Sequence, residues 1–161
     1  MGIEIERKFI VNQIPSNITH GFTICQGYML NQKNKVVRIR TIETQGKIQG
    51  KPKGFLTVKG KTIQASRREF EYEIPFKDAR QMLDLFCEKP FVEKTRFPIE
   101  FKDFEWVIDQ FSGKNQGLIV AEIELDHGNQ PFEMPPWAGE EVTHDPRYYN
   151  SNLIIHPYSI W

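Results

Sequence analysis

Charged and apolar residues alternate along most of this chain. In one segment Arg38 and Arg40 flank Ile39, and in another Glu69 and Glu71 flank Phe70. Successive side chains of a strand point to opposite faces, so this period of two predicts strands with one charged and one apolar face. Eight strands are predicted in this way: Ile3–Val11, Thr23–Leu30, Lys35–Ile42, Phe55–Lys61, Arg67–Ile74, Val92–Phe101, Glu105–Phe111 and Leu118–Leu125.

One segment has helical periodicity instead. Its apolar stripe begins just after Asp78, which is predicted to cap the helix, and ends before Lys89-Pro90. The stripe consists of Ala79, Met82, Leu83, Leu85 and Phe86. A second short helix is predicted near Pro136–Val142, and the segment Tyr148–Ile155 is either helical or irregular. The glycine- and lysine-rich stretch from Gln45 to Gly54 predicts a mobile turn.

Composition restricts the class of protein. The 161 residues include 26% charged and 39% apolar residues, which is typical of a soluble globular protein, and no repeat or linker divides them, so residues 1–161 are predicted to form one domain. Lysine plus arginine equals aspartate plus glutamate at 21 each, so no overall positive field favours nucleic acid. No apolar run predicts a membrane span and no signal peptide is recognised, so the cytoplasm is the expected location. Cys25 and Cys87 lack a metal or redox spacing and are expected to be reduced.

The charged strand faces leave two architectures open. Strands at short spacing with few helices predict a sandwich or a barrel. In a sandwich the charged faces are solvated and paired across strands, each pair contributing roughly 0.2–1 kcal/mol. In a barrel with a wet interior they converge on a channel. The charged face recurs on seven strands, and some strands carry same-sign pairs such as Arg38/Arg40 and Glu122/Glu124. This pattern favours a surface that binds a ligand outside the strand.

Both signs of charge are needed for phosphate chemistry assisted by a metal ion. Hard divalent cations take oxygen ligands, and Mg²⁺ is typically held by one or two carboxylates together with phosphate oxygens. Arginine forms paired contacts to phosphate, and lysine acts as a point charge. The candidate carboxylates are Glu4, Glu6, Glu122 and Glu124, and the extent of the charged faces suits an extended polyanion better than one phosphate.

An ordered series of motifs resembles the CYTH domain, the family of triphosphate tunnel metalloenzymes. The series starts with Glu4-x-Glu6-x-Lys8 and covers essentially the whole chain. It continues with Gln26-Gly27-Tyr28, Arg38-x-Arg40, Thr57-Val58-Lys59-Gly60, Arg67-x-Glu69-x-Glu71, Lys94-x-Arg96, Glu122-x-Glu124, and a tail of His144-Asp145 with Tyr148-Tyr149-Asn150 similar to the short bacterial branch.

This resemblance implies a fold of the α+β class that is mainly β. The expected fold is an eight-stranded antiparallel barrel whose interior is a charged tunnel, with a few helices packed outside. It also implies Mg²⁺ or Mn²⁺, with two ions an open alternative. The metal ligands would be Glu4, Glu6, Glu122 and Glu124. Two further carboxylates would be catalytic, serving a second metal or orienting the attacking water: Glu69 and Glu71. The triphosphate would be bound by Lys8, which would also be catalytic, and by Arg38, Arg40, Lys59, Arg67, Lys94 and Arg96. The roles of Asp109, Lys61, Glu73 and Arg147 stay open.

The expected activity is hydrolysis of a linear triphosphate, above all inorganic tripolyphosphate. The sequence leaves three alternatives: an adenylate cyclase of the same fold, a thiamine or nucleoside triphosphatase, and a barrel that binds polyphosphate without cleaving it. No adenine or thiazole site is recognisable, which favours the inorganic substrate. The retained carboxylates argue against simple anion capture. The sequence does not fix the oligomeric state, although a homodimer through an outer barrel wall is compatible with the pattern.

Overall fold

Nine antiparallel strands dominate the part of the chain that the structure describes. The computed structural model describes residues 5–45, 50–63 and 66–161, with the backbone alone at residues 62, 63, 66 and 67. Glu4 and the side chain of Arg67 therefore lie outside the described part of the chain. The strands are β1 (Ile5–Val11), β2 (Gly21–Gln32), β3 (Lys35–Gln45), β4 (Lys53–Ile63), β5 (Ser66–Ile74), β6 (Val92–Phe101), β7 (Phe104–Phe111), β8 (Ile119–Leu125) and β9 (Ala138–Glu141).

The strands form one sheet in the order β5-β4-β3-β2-β6-β7-β8-β1-β9. Every pairing is antiparallel, which confirms the mainly-β antiparallel prediction. β5 and β9 are the two outer strands, and the described residues form no ladder between them. The sheet is nevertheless wrapped, because Glu71 of β5 and Glu6 of β1 line the same cavity.

β9 replaces a helix that the sequence predicted, so the second predicted helix is wrong. Ala138–Glu141 pairs antiparallel with β1, with Phe9 opposite Glu141. The backbone N–H of Val142 donates to the carbonyl of Lys8 at 2.8 Å, and the guanidinium of Arg7 binds the Glu141 carboxylate. Tertiary contacts with β1 thus decide the conformation of this short segment, and they make the strand count nine instead of eight.

Helix α1 (Phe76–Phe86) packs on the outer face of the sheet. Ala79 and Leu83 are buried against Ile39 of β3, whose neighbours Arg38 and Arg40 point to the other face. Pro75 occupies the N-cap position and no side chain among the described residues caps the helix, so the prediction that Asp78 caps it is wrong. Asp78 lies in the first turn, where a carboxylate complements the helix dipole.

The C-terminal segment packs across one end of the sheet. It contains 3₁₀ turns at Pro146–Tyr148 and Tyr158–Ile160 and the single-turn helix α2 (Asn150–Leu153). Leu153 is fully buried in a cluster with Val92, Phe111, Leu118 and Val120. A separate core surrounds the buried Trp106. None of the helices in the described residues is long and apolar enough to cross a membrane. The assignment of residues 1–161 to one domain stays a prediction.

Candidate functional site

A cavity of about 460 Å³ lies on the charged face of the sheet. Seven strands and helix α2 contribute to its wall, and five of its side chains are lysine or arginine. Its lining consists of Glu6, Ile24, Gln26, Arg38, Arg40, Lys59, Glu69, Glu71, Lys94, Arg96, Glu122 and Asn150. The strand alternation that predicted converging charged faces therefore produces a shared charged cavity.

One wall is organised by Asp109, which is completely buried. Its carboxylate accepts hydrogen bonds from Lys94 Nζ at 2.6 Å and from Arg96 Nε and Nη2, both at 2.7 Å. Arg96 Nη2 also lies 3.0 Å from Glu122 Oε2. Two cations are thus held at fixed positions on β6 by one acid on β7, and Asp109 acts behind the cavity lining rather than in it.

Burial and charge oppose each other in this wall. Burial alone would raise the pKa of Asp109, but the neighbouring Lys94 and Arg96 hold that pKa well below its usual range. Burial lowers the pKa of Lys94, and Asp109 counteracts this effect only in part. Burial also acts to lower the pKa of Arg96, yet its bonds to Asp109 raise it. The charged state of Lys94 therefore depends on Asp109.

The opposite wall is organised by Glu71 on β5. Its carboxylate accepts hydrogen bonds from Arg38 Nη2 at 3.2 Å, Arg40 Nη2 at 3.0 Å and Thr57 Oγ1 at 2.7 Å. Partial burial acts to raise the pKa of Glu71, but the bond from Thr57 and the charges of the two arginines lower it. On the same strand, Glu69 pairs with Lys59 at 2.8 Å.

Two arginine donors in this wall have no hydrogen-bond partner among the described residues. The Nε atoms of Arg38 and Arg40 are buried and form no hydrogen bond within the described residues. Burial, followed by the neighbouring charge of Arg38, lowers the pKa of Arg40, so its positive charge is incompletely compensated. Unpaired buried donors are costly to the folded state and are satisfied when an anion enters. This wall is therefore prepared for a polyanion.

Carboxylates concentrate toward one end of the cavity. In the β1–β8 ladder Glu6 lies opposite Glu124 and Lys8 lies opposite Glu122. Glu6, Glu122 and Glu124 also line an adjoining cavity of about 380 Å³. The described residues contain no group of three or more histidine, cysteine, aspartate or glutamate side chains arranged to hold a metal. Glu4, the fourth predicted ligand, lies outside the described residues.

Lys8 lies beside the cavity and not in its lining. Its ammonium is 3.1 Å from Glu122 Oε1, 3.7 Å from Glu6 Oε1 and 3.5 Å from the carbonyl oxygen of Tyr148. Burial acts to lower the pKa of Lys8, but Glu122 and Glu6 raise it, so the side chain stays charged. Lys8 therefore connects the carboxylate end of the cavity to the C-terminal segment.

Three residues with open roles lie away from the cavity. Lys61 is exposed on β4, and Glu73 forms an exposed pair with Lys53 at 3.6 Å. Arg147 pairs with Asp145 at 2.6 Å, and its guanidinium is 5.2 Å from the centre of the Trp161 ring. None of these three side chains is among the residues that line the cavity.

Sequence reasoning assigned no role to Gln26 or Asn150, which both line the cavity. Gln26 is buried on β2 and donates to the Tyr28 hydroxyl at 3.2 Å. Its sequence signal is a polar residue at an inward-facing strand position of the Gln26-Gly27-Tyr28 motif. Asn150 lies in an irregular segment and has no periodic signal, so only tertiary packing reveals its position.

A larger cavity, of about 790 Å³, lies beside β1 and β9. Its two arginines already have partners, because Arg7 binds Glu141 and Arg147 binds Asp145. The smaller cavity has more cationic side chains and the unpaired arginine donors, and it is therefore the stronger candidate for binding a polyanion.

Comparison with known proteins identifies the family. The family model of the CYTH domain matches residues 2–152. The chain is 46% identical over 159 residues to an inorganic triphosphatase of Acetivibrio thermocellus, covering 98% of this chain and 97% of that protein. It is 33% identical over 156 residues to an inorganic triphosphatase of Nitrosomonas europaea, covering 94% and 97%. A crystal structure of an inorganic triphosphatase has a TM-score of 0.69 at 32% identity, with 96% of each chain covered. The tunnel fold is thus matched, and the chain belongs to the CYTH domain family.

Proposed function

We propose that this protein hydrolyses inorganic tripolyphosphate to phosphate and diphosphate in the charged cavity. The observation that carries the proposal is the convergence of five cationic side chains, two with unpaired buried Nε donors, beside the carboxylates of β1 and β8. Phosphoryl transfer depends mainly on positioning and on stabilising negative charge, which such a cavity supplies. Two relatives that match nearly the whole chain carry the name inorganic triphosphatase.

The basic residues bind and orient the substrate in this proposal. Arg38 and Arg40 turn from Glu71 toward phosphate oxygens, which also satisfies their free Nε atoms. Lys59 binds from β4, and Lys94 and Arg96 bind from β6, while Asp109 keeps the last two in position. Arg67 and Lys8 complete the proposed binding set, Arg67 by family resemblance and Lys8 from the end of the cavity.

In the same proposal, carboxylates orient the attacking water. Glu69 and Glu71 lose part of their cationic partners when the substrate enters, so their oxygens become able to accept hydrogen bonds from the attacking water. Water attacks a terminal phosphorus and passes one proton to the carboxylate of Glu69 or Glu71, from which it returns to solvent. The bond to the bridging oxygen breaks, and the diphosphate leaves with that oxygen and the electron pair of the bond. Lys8 and Arg96 stabilise the negative charge that develops on the leaving group.

A divalent cation fits the chemistry of the carboxylate end. Glu6 and Glu124 are hard oxygen donors at opposed positions of paired strands, and Mg²⁺ typically needs one or two carboxylates besides phosphate and water. We propose Mg²⁺ or Mn²⁺, held by Glu6, Glu122 and Glu124 together with Glu4. When bound, the ion neutralises phosphate charge and acts as a Lewis acid.

The test is a phosphate-release assay on tripolyphosphate with Mg²⁺, Mn²⁺ or EDTA. Glu124→Gln should weaken metal affinity at least about tenfold and lower activity at limiting metal. Glu124 is exposed and forms none of the pairs to Lys8 or Arg96, so its removal leaves the buried cations partnered. Glu43→Gln, which breaks an exposed pair with Arg80 on the outer face, is the matched control. Absence of tripolyphosphate hydrolysis by the wild type would overturn the proposal.

The same assay separates the alternatives. Cyclic AMP formed from ATP would indicate a cyclase, faster phosphate release from a thiamine or nucleoside triphosphate would indicate an organic substrate, and tight binding without release would indicate a binding module. We also propose a cytoplasmic location and a homodimer; cell fractionation tests the first, and size-exclusion chromatography with light scattering tests the second.

A further inference from the structure

The C-terminal segment contributes a polar side chain to the cavity. Asn150 lines the cavity together with Lys59, Lys94 and Arg96, although it belongs to none of the nine strands. Its Oδ1 atom is buried and has no hydrogen-bond partner among the described residues. A carboxamide has one acceptor oxygen and a two-proton amino group. Because the oxygen is the enclosed end, the amino group is the end available to a ligand in the cavity.

Contacts with several strands fix the position of this segment. Leu153 is fully buried, and its carbonyl oxygen accepts a hydrogen bond from Asn115 Nδ2 at 3.3 Å. The carbonyl oxygen of Ser151 accepts one from Asn31 Nδ2 at 3.1 Å, near the end of β2. The segment also provides the Tyr148 carbonyl oxygen near Lys8 Nζ. Asn150 is therefore held at a defined place rather than on a loose tail.

The position of Asn150 gives the cavity two chemically different ends. Leu153 of the segment belongs to the cluster against which Ile10 packs, near the C-terminal end of β1. The segment also contacts the C-terminal end of β2 and the short turn between β7 and β8. Glu124 lies at the opposite end of β8 and faces Glu6. Carboxylates thus mark one end, whereas a neutral amide donor lies toward the other. A neutral donor can bind a phosphate oxygen without adding charge to an already cationic wall.

The buried oxygen also shows what Asn150 does not do. An unsatisfied buried carbonyl group is a cost to the folded state, because it has lost its bonds to water without replacement. The side chain caps no helix, since the N-cap of α2 is Tyr149 and no side-chain cap bond is present. The described contacts therefore give the carboxamide no structural role, whereas its amino group is placed to bind a ligand in the cavity.

We propose that Asn150 is a substrate-binding residue, whose side-chain amino group donates a hydrogen bond to the phosphoryl group at the end of the cavity remote from Glu6 and Glu124. The residue fixes how far the triphosphate chain enters and so which phosphorus reaches the carboxylate end. This inference rests on the proposed triphosphatase function. It gives a role to Asn150 of the Tyr148-Tyr149-Asn150 motif.

The test compares Asn150→Ala and Asn150→Asp with the neighbouring control Ser151→Ala. Tripolyphosphate affinity is measured by calorimetry in EDTA, kcat and KM are measured with Mg²⁺, and the free energy of unfolding is measured in urea. Losing a hydrogen bond to a charged group should weaken tripolyphosphate binding by about 10- to 100-fold in Asn150→Ala. Asn150→Asp, which keeps the shape but adds negative charge, should weaken it further, and the control should bind like the wild type.

Stability separates a binding role from a structural one. Because alanine removes an unsatisfied carbonyl, Asn150→Ala should unfold at the same urea concentration as the wild type or a higher one. Normal affinity in both variants, or an affinity loss that matches a loss of stability, would overturn the inference. If Asn150→Ala fails to fold, the near-isosteric Asn150→Asp decides by its affinity alone. A wild type that binds tripolyphosphate without hydrolysing it would overturn the proposed function but leave this binding role testable.

Discussion

Asp109 shows how one buried acid can prepare a binding surface. It touches neither the cavity nor the solvent, yet it bonds to Lys94 and Arg96, two of the five cations in the lining. Removing two ions from water is costly, and this cost is offset here by short hydrogen bonds on both carboxylate oxygens. The cations are thereby fixed before substrate arrives, which reduces the reorganisation needed in the transition state.

Asp109→Asn should therefore destabilise the protein strongly. The amide keeps the shape but leaves the buried ammonium of Lys94 without its counter-charge, and breaking a buried pair typically costs roughly 3–5 kcal/mol. Urea denaturation measures the change in the free energy of unfolding. Glu43→Gln makes the same chemical change in the exposed pair with Arg80, where the loss should be about 0–1 kcal/mol.

Acid unfolding provides a second measure of the same interaction. Because folding lowers the pKa of Asp109 below its ordinary value of 3.8, its contribution is complete above that pH and is lost as the pH falls toward the folded-state value. The free energy of unfolding of the wild type should fall steeply below pH 4, and that of Asp109→Asn should fall less steeply. Parallel pH curves for the two proteins would contradict the assigned role.

At the scale of elements, the outer helix supports the strand that carries two arginines. Ile39 lies between Arg38 and Arg40 in sequence, and its side chain packs with Ala79 and Leu83 of α1. The arginines project to the opposite face of the strand and into the cavity. The apolar contact outside the sheet therefore positions the charged contact inside it.

Two leucines of α1 allow this support to be measured. Leu83 is buried with 2% of its surface exposed, whereas Leu85 is 71% exposed. Leu83→Ala should lower the free energy of unfolding by about 2–5 kcal/mol, because it removes buried methyl groups and leaves a cavity. Leu85→Ala, the same substitution on the same helix, should change it by at most about 0.5 kcal/mol. Equal losses in urea denaturation would show that α1 does not support the sheet through Leu83.

The same elements show what the sequence could predict. A period of two placed Arg38, Arg40, Lys59 and Lys94 on inward faces, because strand geometry alone determines side-chain direction. It could not predict β9, since Ala138–Glu141 has no β-branched or aromatic residue and becomes a strand through Arg7 and the edge of β1. Likewise, the packing of Leu153 against residues of distant strands, and not a local pattern, brings Asn150 to the cavity. Local periodicity therefore predicts which side chains face inward, whereas contacts between segments that are distant in sequence cannot be predicted from it.

At the scale of the molecule, the cavity joins two groups of strands. The first is β3, β4 and β5, the second is β2 with β6 and the strands beyond it, and the two pair through the β2–β3 ladder. Arg38, Arg40 and Lys59 lie on β3 and β4, whereas Lys94 and Arg96 lie on β6. Repulsion between the like charges of these walls acts against bringing them together. A polyanion bound between the walls attracts both of them and so turns this net repulsion into attraction. Bound substrate should therefore stabilise the wrapped arrangement of the whole sheet, and its effect should not be confined to one strand.

Hydrogen exchange with and without tripolyphosphate should reveal this coupling. We expect slower amide exchange in the β4–β5 hairpin as well as in β6, because binding of the substrate to both walls suppresses opening of the outer strand β5. The measurement is mass spectrometry of exchanged peptides in EDTA, so that turnover does not consume the ligand. Sulfate at matched ionic strength is the control, since a single small anion cannot span both walls. Arg40→Ala should reduce protection of the hairpin more than protection of β6. Protection confined to β6 would show that the two walls bind the substrate independently.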